Sequence, residues 1–575
     1  MSVAEARNGA AGFDPRLLVF ACNWCSYAGA DTAGVSRLTQ TPHFRLLRVM
    51  CSGRIHPAHV LRAFARGADG VMVSGCHFGD CHYLFGNHRA VEQFEKTRAL
   101  ARLLGLEEER LRLEWISAAE GIRFAETMND FVAQVRGVGP SPIAPDATPA
   151  GETASDAAAL GASGALRCLE CGRCTAVCPL TRHQRFSPRR LLSRAAAAGL
   201  DAVVCDPTLW ACLTCAQCQP VCPSQVDYPR FILTARARAI ELGAGPFAPA
   251  VAAAGAGTTA PATVVPCSHG GVFEQIALIS ARPGLRQSRL EWRTPDLAID
   301  VVPEGGQATA DELLFVGCSP YFAAYFGGAV GDALHESLRA AVRLLNRADI
   351  VPALLANERC CGSPLRLTGR AGEATRLESL VAEQIRASGA RRVIAACPEC
   401  LVALRRIAAG HGGGFEAVHL SQRLSGSPSS RAASGAVPGA PTRVTFQDPC
   451  RLGRYSGLYD PPRELLRAAG GLELIEMEHT REAAICCGNT AWVHCDAATQ
   501  SFQRARLAEA AATGGTLVTA CPGCFIHLRC AQQALAGTAE GAVPIADLWT
   551  LLAGAGPASP DGHETQLVVG QAVTG

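Results

Sequence analysis

The chain has 575 residues, of which 27 are cysteines and 48% are hydrophobic. Because domains usually contain about 100–200 residues, this length predicts several domains. A net charge of +2 gives no sign of polyanion binding and argues against nucleic acid as a partner. The first residues lack a secretory pattern, and no stretch is apolar enough for a transmembrane helix. We therefore expect a cytoplasmic protein with reduced thiols.

Three segments lack hydrophobic periodicity and are rich in proline, alanine, glycine and serine: residues 137–164, 243–270 and 425–441. This composition is typical of linkers. It predicts four domains, spanning residues 15–136, 165–242, 285–424 and 442–555.

Short apolar strands end at a cysteine and are followed by a helical pattern at residues 17–22, 46–51, 71–76, 393–397 and 517–521. Such β-α alternation predicts parallel sheets, whose ligand sites lie at the carboxyl ends of the strands. The expected fold class is multidomain α/β: an N-terminal α/β domain with a parallel sheet, a mostly helical ferredoxin-like module, and two tandem α/β domains.

The N-terminal domain holds five cysteines, Cys22, Cys25, Cys51, Cys76 and Cys81, which suit a small iron–sulfur cluster or zinc. These motifs resemble the delta subunit of methyl-viologen-reducing hydrogenase. In that family a [2Fe-2S] cluster passes electrons between a hydrogenase or dehydrogenase and a flavin-carrying reductase subunit. The resemblance implies that four of the five cysteines hold a [2Fe-2S] cluster, without showing which one is spare.

Polar residues near these cysteines have weaker assignments. His77, His82 and His88 suggest a Rieske-type or zinc site, but enough cysteines are present, so we expect surface positions or hydrogen bonds to the ligands. Arg54 and Asn87 either orient the ligands or cap turns.

Two runs in the next domain share one spacing, with a proline directly after each: Cys168, Cys171, Cys174 and Cys178, then Cys212, Cys215, Cys218 and Cys222. This is the bacterial ferredoxin pattern for two [4Fe-4S] cubanes, in which the fourth cysteine of each run binds the other cluster. Cys168, Cys171, Cys174 and Cys222 are therefore expected to hold one cubane, and Cys212, Cys215, Cys218 and Cys178 the other. Zinc is the alternative, but zinc sites rarely repeat four cysteines so tightly.

The second half contains an internal repeat of cysteines. Cys318 is followed after 41 residues by Cys360-Cys361-Gly362, and after 35 more by Cys397-Pro-Glu-Cys400. Cys450 is followed after 35 residues by Cys486-Cys487-Gly488, and after 33 more by Cys521-Pro-Gly-Cys524. Five thiolates exceed the four positions of tetrahedral zinc, whereas an iron–sulfur assembly with bridging thiolates uses all five.

These repeats look like the CCG domains of the catalytic subunit of heterodisulfide reductase, each of which holds a non-cubane [4Fe-4S] cluster. The ferredoxin-like module resembles that enzyme's small subunit, so the chain resembles a fusion of the two with the hydrogenase delta subunit. The resemblance implies one non-cubane cluster on Cys318, Cys360, Cys361, Cys397 and Cys400, and another on Cys450, Cys486, Cys487, Cys521 and Cys524. These ten cysteines are the expected catalytic ligands, with one electron from each cluster splitting a disulfide.

No glycine motif for flavin or nicotinamide follows a predicted strand, so we expect no flavin on this chain. The expected partners are a flavin-containing heterodisulfide reductase-type subunit and a hydrogenase, dehydrogenase or reductase. One alternative is a non-catalytic relay feeding an acyl-CoA or methylene-tetrahydrofolate reductase or a hydroxy-acid oxidase system. Another is a scaffold in which the CCG cysteines hold structural metal.

Four cysteines remain outside these motifs: Cys205, Cys267, Cys495 and Cys530. We expect buried apolar thiols, with Cys495 as an alternative lining residue of the second CCG pocket. His494 is a candidate proton donor there, although a surface position is favoured.

Overall fold

The computed structural model describes residues 13–143, 156–245, 268–425 and 441–554, apart from positions 207, 413, 490, 491 and 494. The chain divides into two compact units, Met1–Pro149 with Val272–Ser288, and Ala150–Gly271 with Arg289–Gly575. The finer division into four domains stays a prediction. Within the described ranges, no helix is both long enough and apolar enough to cross a membrane.

The first unit contains a four-stranded parallel sheet with the strand order β2-β1-β3-β4. Its apolar core lies between the sheet and α4, where Val19, Met72 and Phe131 are almost fully buried. The strands are β1 (Leu17–Cys22), β2 (Phe44–Val49), β3 (Gly70–Gly75) and β4 (Leu111–Trp115), and the helices are α1 (Ser26–Val35), α2 (Pro57–Ala65), α3 (Gly86–Leu103) and α4 (Gly121–Val138). The parallel sheet predicted from the sequence is confirmed, and β1 ends at Cys22 as predicted.

Residues 156–245 fold into short helices and turns, with no strand among the residues described there. The helices are α5 (Asp156–Ala162), α6 (Arg173–Val177), α7 (Pro188–Ala198), α8 (Asp201–Val204) and α9 (Tyr228–Glu241). Side-chain caps fix two helix starts, since Ser187 accepts from the amide of Arg190 and Asp227 accepts from that of Arg230. The arginines of α7 have partners, because Arg190 and Arg194 pair with the buried Asp206.

After this module the chain returns to the first unit. Helix α10 (Val272–Ser280) is wholly buried and packs against α2. Arg282 Nη2 donates to the carbonyl oxygen of Ala65 at 3.4 Å, and the Ser288 amide donates to the carbonyl oxygen of Leu103 at 3.2 Å. An apolar run predicts a buried segment but does not say which domain buries it, and the sequence analysis left residues 271–284 unassigned.

The first CCG region contains a five-stranded parallel sheet with the order β5-β7-β6-β8-β9. Its strands are β5 (Asp300–Val302), β6 (Glu312–Phe315), β7 (Ala353–Leu355), β8 (Arg392–Ala395) and β9 (Glu416–His419). Its helices are α11 (Ser319–Phe326), α12 (Gly328–Arg347), α13 (Ser363–Leu367), α14 (Ala371–Ser388), α15 (Pro398–Gly410) and α16 (Leu420–Leu424).

The second CCG region repeats this topology with four parallel strands in the order β11-β10-β12-β13. In this repeat β10 corresponds to β6, β11 to β7 and β12 to β8. The strands are β10 (Thr442–Gln447), β11 (Leu472–Leu474), β12 (Thr516–Thr519) and β13 (Ile545–Asp547), and the helices are α17 (Asp460–Ala468), α18 (Ala497–Thr513), α19 (Pro522–Ala534) and α20 (Leu548–Leu552). The cysteine repeat is therefore a structural repeat.

Arg236 on α9 joins the helical module to the first CCG region within the second unit. Its side chain is 1% exposed. The guanidinium donates to the carbonyl oxygen of Cys212 at 2.8 Å and to that of Leu367 at 3.0 Å. A buried guanidinium needs such acceptors, so this contact fixes the loop that carries Cys212 against the first CCG region.

Candidate iron–sulfur sites

The five cysteines of the first unit meet at the carboxyl edge of its sheet, and we call this group the delta site. Cys22, Cys51, Cys76 and Cys81 are buried together, and Cys25 packs against them. The Sγ atoms of Cys22 and Cys76 lie 3.7 Å apart, and the hydrogen bond between them lowers the pKa of Cys22 to about 6. A group of converging thiols, one of them readily ionised, has the chemistry of a soft-metal site.

Glycine gives the thiols of the delta site the room that they occupy. A Cβ atom at Gly86, the first residue of α3, would clash with Cys51 Sγ and lie 3.0 Å from Cys81 Sγ. The start of α3 therefore approaches the sulfur atoms as closely as backbone allows, and its positive end favours anionic ligands.

Replacing Gly86 by alanine is expected to remove the delta-site cluster alone, because the new methyl group takes the space of two thiols. On the expectation of a [2Fe-2S] cluster here and about 18 irons per chain, iron in the anaerobically purified protein should fall by about two atoms, with loss of the electron paramagnetic resonance (EPR) signal of that cluster. Gly137→Ala is the matched control, since a Cβ there meets nothing within 4 Å. A Gly86→Ala protein that keeps this signal would contradict the assignment.

The histidines near the delta site have protein partners. His77 pairs with Glu120 at 2.6 Å, the His82 ring stacks on Trp24 at a centroid distance of 3.9 Å, and the His88 ring lies 4.9 Å from that of Phe78. Asn87 donates to the carbonyl oxygens of Cys76 and His77, at 3.3 and 2.9 Å. Asn87 thus fixes the loop that carries Cys76.

The eight cysteines of the helical module surround two neighbouring cavities. Cys168, Cys171, Cys174 and Cys222 line one, with Cys218 also on its wall, and we call these four the first cubane site. Cys178, Cys212, Cys215 and Cys218 line the other, and we call them the second cubane site. The first cavity is thus lined by Cys218 and Cys222 of the second run, and the second cavity by Cys178 of the first run. This lining is compatible with the crossed assignment, which stays a prediction.

Burial disfavours the thiolate form in the second cubane site. It raises the pKa of Cys178 and of Cys218, and that of Cys212 to about 11. Iron cations stabilise thiolates in such surroundings, so these residues fit a metal cluster better than they fit isolated thiols.

The cysteines of the first CCG repeat, which we call the first CCG site, form a continuous chain of contacts. Cys318 Sγ lies 3.7 Å from Cys360 Sγ, and Cys361 Sγ lies 3.6 Å from Cys400 Sγ. Hydrogen bonds from Cys360 and Cys400 lower the pKa of Cys361. Cys397 contacts Cys400 and completes the set of five.

The second CCG site, which consists of the five cysteines of the second repeat, has the same pattern. The Sγ atoms of Cys487 and Cys524 lie 3.2 Å apart, and hydrogen bonds from Cys486 and Cys524 lower the pKa of Cys487 to about 6. Cys450 contacts Cys486, and Cys521 contacts Cys524. Both repeats thus gather all five predicted cysteines.

The glycine after each double cysteine has a left-handed backbone. The φ angle is +83° at Gly362 and +80° at Gly488. A side chain at this angle is strained, and at Gly488 a Cβ would also lie 2.7 Å from the carbonyl oxygen of Thr499. Glycine here lets the chain turn directly after placing two adjacent thiols in one site.

The two CCG sites meet each other. A hydrogen bond from Cys397 lowers the pKa of Cys521 to about 5, so the first cysteines of the two Cys-x-x-Cys motifs are in contact. Glu399 lies at the same boundary, where burial raises its pKa to about 7. The sequence places these motifs more than a hundred residues apart and does not show that they face each other.

The second CCG site also adjoins the second cubane site. Arg451 Nη2 donates to Thr214 Oγ1 at 2.7 Å, Arg454 Nε to the carbonyl oxygen of Cys215 at 2.7 Å, and the Tyr455 hydroxyl to the carbonyl oxygen of Thr214 at 2.7 Å. Sequence analysis missed these residues, although two arginines and a tyrosine directly after Cys450 were a visible signal. They tie the loop between Cys212 and Cys215 to the loop after Cys450.

A buried ion pair supports the first CCG site and was also missed. Glu358 pairs with Arg289 at 2.7 Å and accepts from the amides of Val316 and Gly317, at 2.8 and 2.9 Å. This carboxylate fixes the turn between β6 and Cys318. It stands two residues before Cys360, so it ties both cysteine segments to each other.

The expectation that the remaining cysteines are buried is wrong for two of them. Cys205 and Cys495 are exposed, and Cys530 is half-buried. Cys205 directly follows α8, whose two valines are buried, but the helix ends there and the thiol faces solvent. Cys267 and His494 lie outside the described residues.

Family comparisons match the chain in three parts. The family described as "Methyl-viologen-reducing hydrogenase, delta subunit" matches residues 17–139, "4Fe-4S dicluster domain" matches residues 164–226, and "Cysteine-rich domain" (CCG) matches residues 313–405 and 444–529. The three matches coincide with the three kinds of cysteine group.

Among curated proteins, an iron-sulfur subunit of the F420-non-reducing hydrogenase of Archaeoglobus profundus is 48% identical over 128 residues, which are 22% of this chain and 93% of that protein. One subunit of the ferredoxin/F(420)H(2)-dependent CoB-CoM heterodisulfide reductase of Methanosarcina acetivorans is 46% identical over 126 residues, 22% of this chain and 16% of that protein. EtfAB:quinone oxidoreductase of Syntrophomonas wolfei is 27% identical over 366 residues, 56% of this chain and 47% of that protein.

Proposed function

Because the chain belongs, through residues 17–139, to the delta-subunit family of methyl-viologen-reducing hydrogenase, we propose that it accepts electrons at its delta site and delivers them to the two CCG sites for the reduction of a disulfide. The chain is a heterodisulfide reductase-like iron–sulfur protein with dicluster and CCG domains. The finer proposal assigns a [2Fe-2S] cluster to the delta site, cubanes to the two cubane sites and non-cubane [4Fe-4S] clusters to the two CCG sites.

One observation supports this proposal above the others: the two CCG sites meet at Cys397 and Cys521, beside the second cubane site. Reduction of a disulfide takes two electrons and two protons and yields two thiols. A pair of facing sites fits a substrate with two sulfur atoms, and the cubane next to them fits delivery of single electrons. When bound, the clusters would supply those electrons and bind the two sulfur atoms.

The protein's own residues hold and separate these sites. Arg451 and Arg454 hold the second cubane site against the second CCG site, Arg236 holds the same module against the first CCG region, and Glu358 fixes the start of the first CCG site. These buried contacts exclude water and keep the sites at fixed distances from one another.

Proposed partners follow from the relatives. The hydrogenase and heterodisulfide reductase relatives are each named as one component of a larger enzyme. We infer that a flavin-containing subunit and a hydrogenase, dehydrogenase or reductase supply the electrons.

The test is a disulfide-reductase assay on the anaerobically purified chain, with reduced methyl viologen as donor and several heterodisulfides as acceptors. We expect viologen oxidation that depends on disulfide, with two viologens oxidised for each disulfide cleaved. The likeness to a quinone oxidoreductase favours a second candidate, a relay that passes electrons to another acceptor. Full reduction of all clusters without disulfide turnover would support that relay and contradict disulfide reduction.

A further inference from the structure

We propose that Arg454 donates a hydrogen bond from Nη2 to a sulfur atom at the boundary between the second cubane site and the second CCG site, and that its charge raises the reduction potential of both clusters. This inference rests on the proposed function, because it takes clusters to be held at these two sites. It assigns Arg454 a positioning and tuning role that is separate from metal ligation.

Three hydrogen bonds fix the guanidinium of Arg454. Its Nε donates to the carbonyl oxygen of Cys215 at 2.7 Å, and its Nη1 donates to the carbonyl oxygens of Glu482 and Ala484 at 2.9 and 3.0 Å. The first acceptor belongs to the second cubane site, and the other two lie just before Cys486. Because the guanidinium is planar, these bonds also fix the direction of Nη2.

Nη2 of Arg454 is buried and has no hydrogen-bond partner among the described residues. A buried donor on a charged group without an acceptor costs about 1–3 kcal/mol or more, so an acceptor is expected there. The groups whose charge acts on Arg454 are the thiols of Cys215, Cys450 and Cys486 and the hydroxyl of Tyr459. Burial alone lowers the pKa of Arg454, but the thiolates of Cys215, Cys450 and Cys486 raise it overall.

A fixed positive charge beside a cluster stabilises the reduced form, which carries the additional electron. Hydrogen bonds to cluster sulfur and local charge are established determinants of iron–sulfur reduction potentials. Arg454 contacts both cysteine segments, so its charge should raise the reduction potentials of both clusters together. The driving force for electron transfer from the second cubane to the second CCG cluster should then depend less on a change at either cluster alone.

The first CCG site has a different residue at the position that corresponds to Arg454. Four residues after its first cysteine stands Phe322, where the second repeat has Arg454. Phe322 is buried and its ring lies 5.2 Å from that of Trp492. The two repeats therefore differ at this position, and the buried arginine of the first CCG site, Arg289, comes from outside the repeat and pairs with Glu358.

The experiment is an EPR-monitored redox titration of the full-length protein, comparing Arg454→Gln and Arg454→Lys with Arg443→Gln. Arg443 is an exposed arginine of the same region that pairs with Glu473, so it controls for loss of charge. Arg454→Gln should lower the equilibrium constant for reduction of the second cubane and of the second CCG cluster by about tenfold, or about 59 mV for one electron. Arg454→Lys should shift them less, and the other three clusters should keep their potentials.

Unchanged potentials in an Arg454→Gln protein with full iron content would overturn the inference. If that variant loses iron, the wild-type protein labelled with ¹⁵N-arginine gives an independent result. Electron–nuclear double resonance should then show a ¹⁵N coupling to the reduced clusters that disappears in Arg454→Lys, and the absence of any coupling in the wild type would refute the hydrogen bond. Failure of the proposed function would instead show as missing clusters or absent turnover in the wild type.

Discussion

Replacement of Cys361 by serine is expected to abolish disulfide reduction and to remove the first CCG cluster. Cys361 is 2% exposed, and its Sγ lies 3.6 Å from that of Cys400 at the centre of the site. A serine oxygen is a harder ligand than a thiolate, so it would hold iron at this site less well. Turnover should fall at least about a hundredfold, equivalent to about 2.7 kcal/mol of activation free energy. Iron should fall by about four atoms per chain.

The matched control for this change is Cys205→Ser, which alters an exposed thiol outside every cysteine group. It should keep full iron content and turnover. If Cys361→Ser instead left the redox spectra unchanged, the CCG cysteines would be structural ligands and the chain a scaffold.

Replacement of Cys215 by serine is expected to break the electron path to the CCG sites while leaving those sites intact. Cys215 lines the second cubane cavity, and its backbone carbonyl accepts from Arg454, an interaction that serine preserves. Iron should again fall by about four atoms, with loss of one cubane EPR signal. Viologen-driven disulfide turnover should fall about tenfold or more, because the nearest donor to the second CCG site is missing.

Cys495→Ser is the control here, since Cys495 is an exposed thiol of the second CCG region. Retained turnover in a Cys215→Ser protein that has lost the cubane signal would mean that viologen reduces the CCG clusters directly. The second cubane would then lie off the catalytic path.

Sequence analysis predicted the parallel sheets and the cysteines at their edges because both features are local. A strand of alternating or continuous apolar residues that ends in cysteine, such as residues 17–22, can be recognised from its own residues alone. The double cysteines with Gly362 and Gly488 are likewise visible as short motifs. The structure adds that the two cysteine repeats share one strand order.

The contacts between the helical module and the CCG regions could not be predicted from the sequence. Arg451 and Thr214 are 237 residues apart, and Arg236 and Leu367 are 131 apart. Nothing in the periodicity around Arg451 distinguishes an arginine buried against a carbonyl from one that faces water. The predicted burial of Cys205 and Cys495 is wrong for a different reason. A cysteine is usually buried, and the exposure of these two thiols depends on where the neighbouring helices end.

The return of the chain through α10 makes the helical module an insertion between two segments of the first unit. A covalent tether therefore leads from the first unit into the second before the helical module and back to the first unit after it. If one of these two connections were cut, the other would still join the first unit to the helical module. The effective concentration of the delta site around the cubane sites would therefore remain high in a nicked protein. The first unit and the helical module are in this way kept in fixed stoichiometry, one to one.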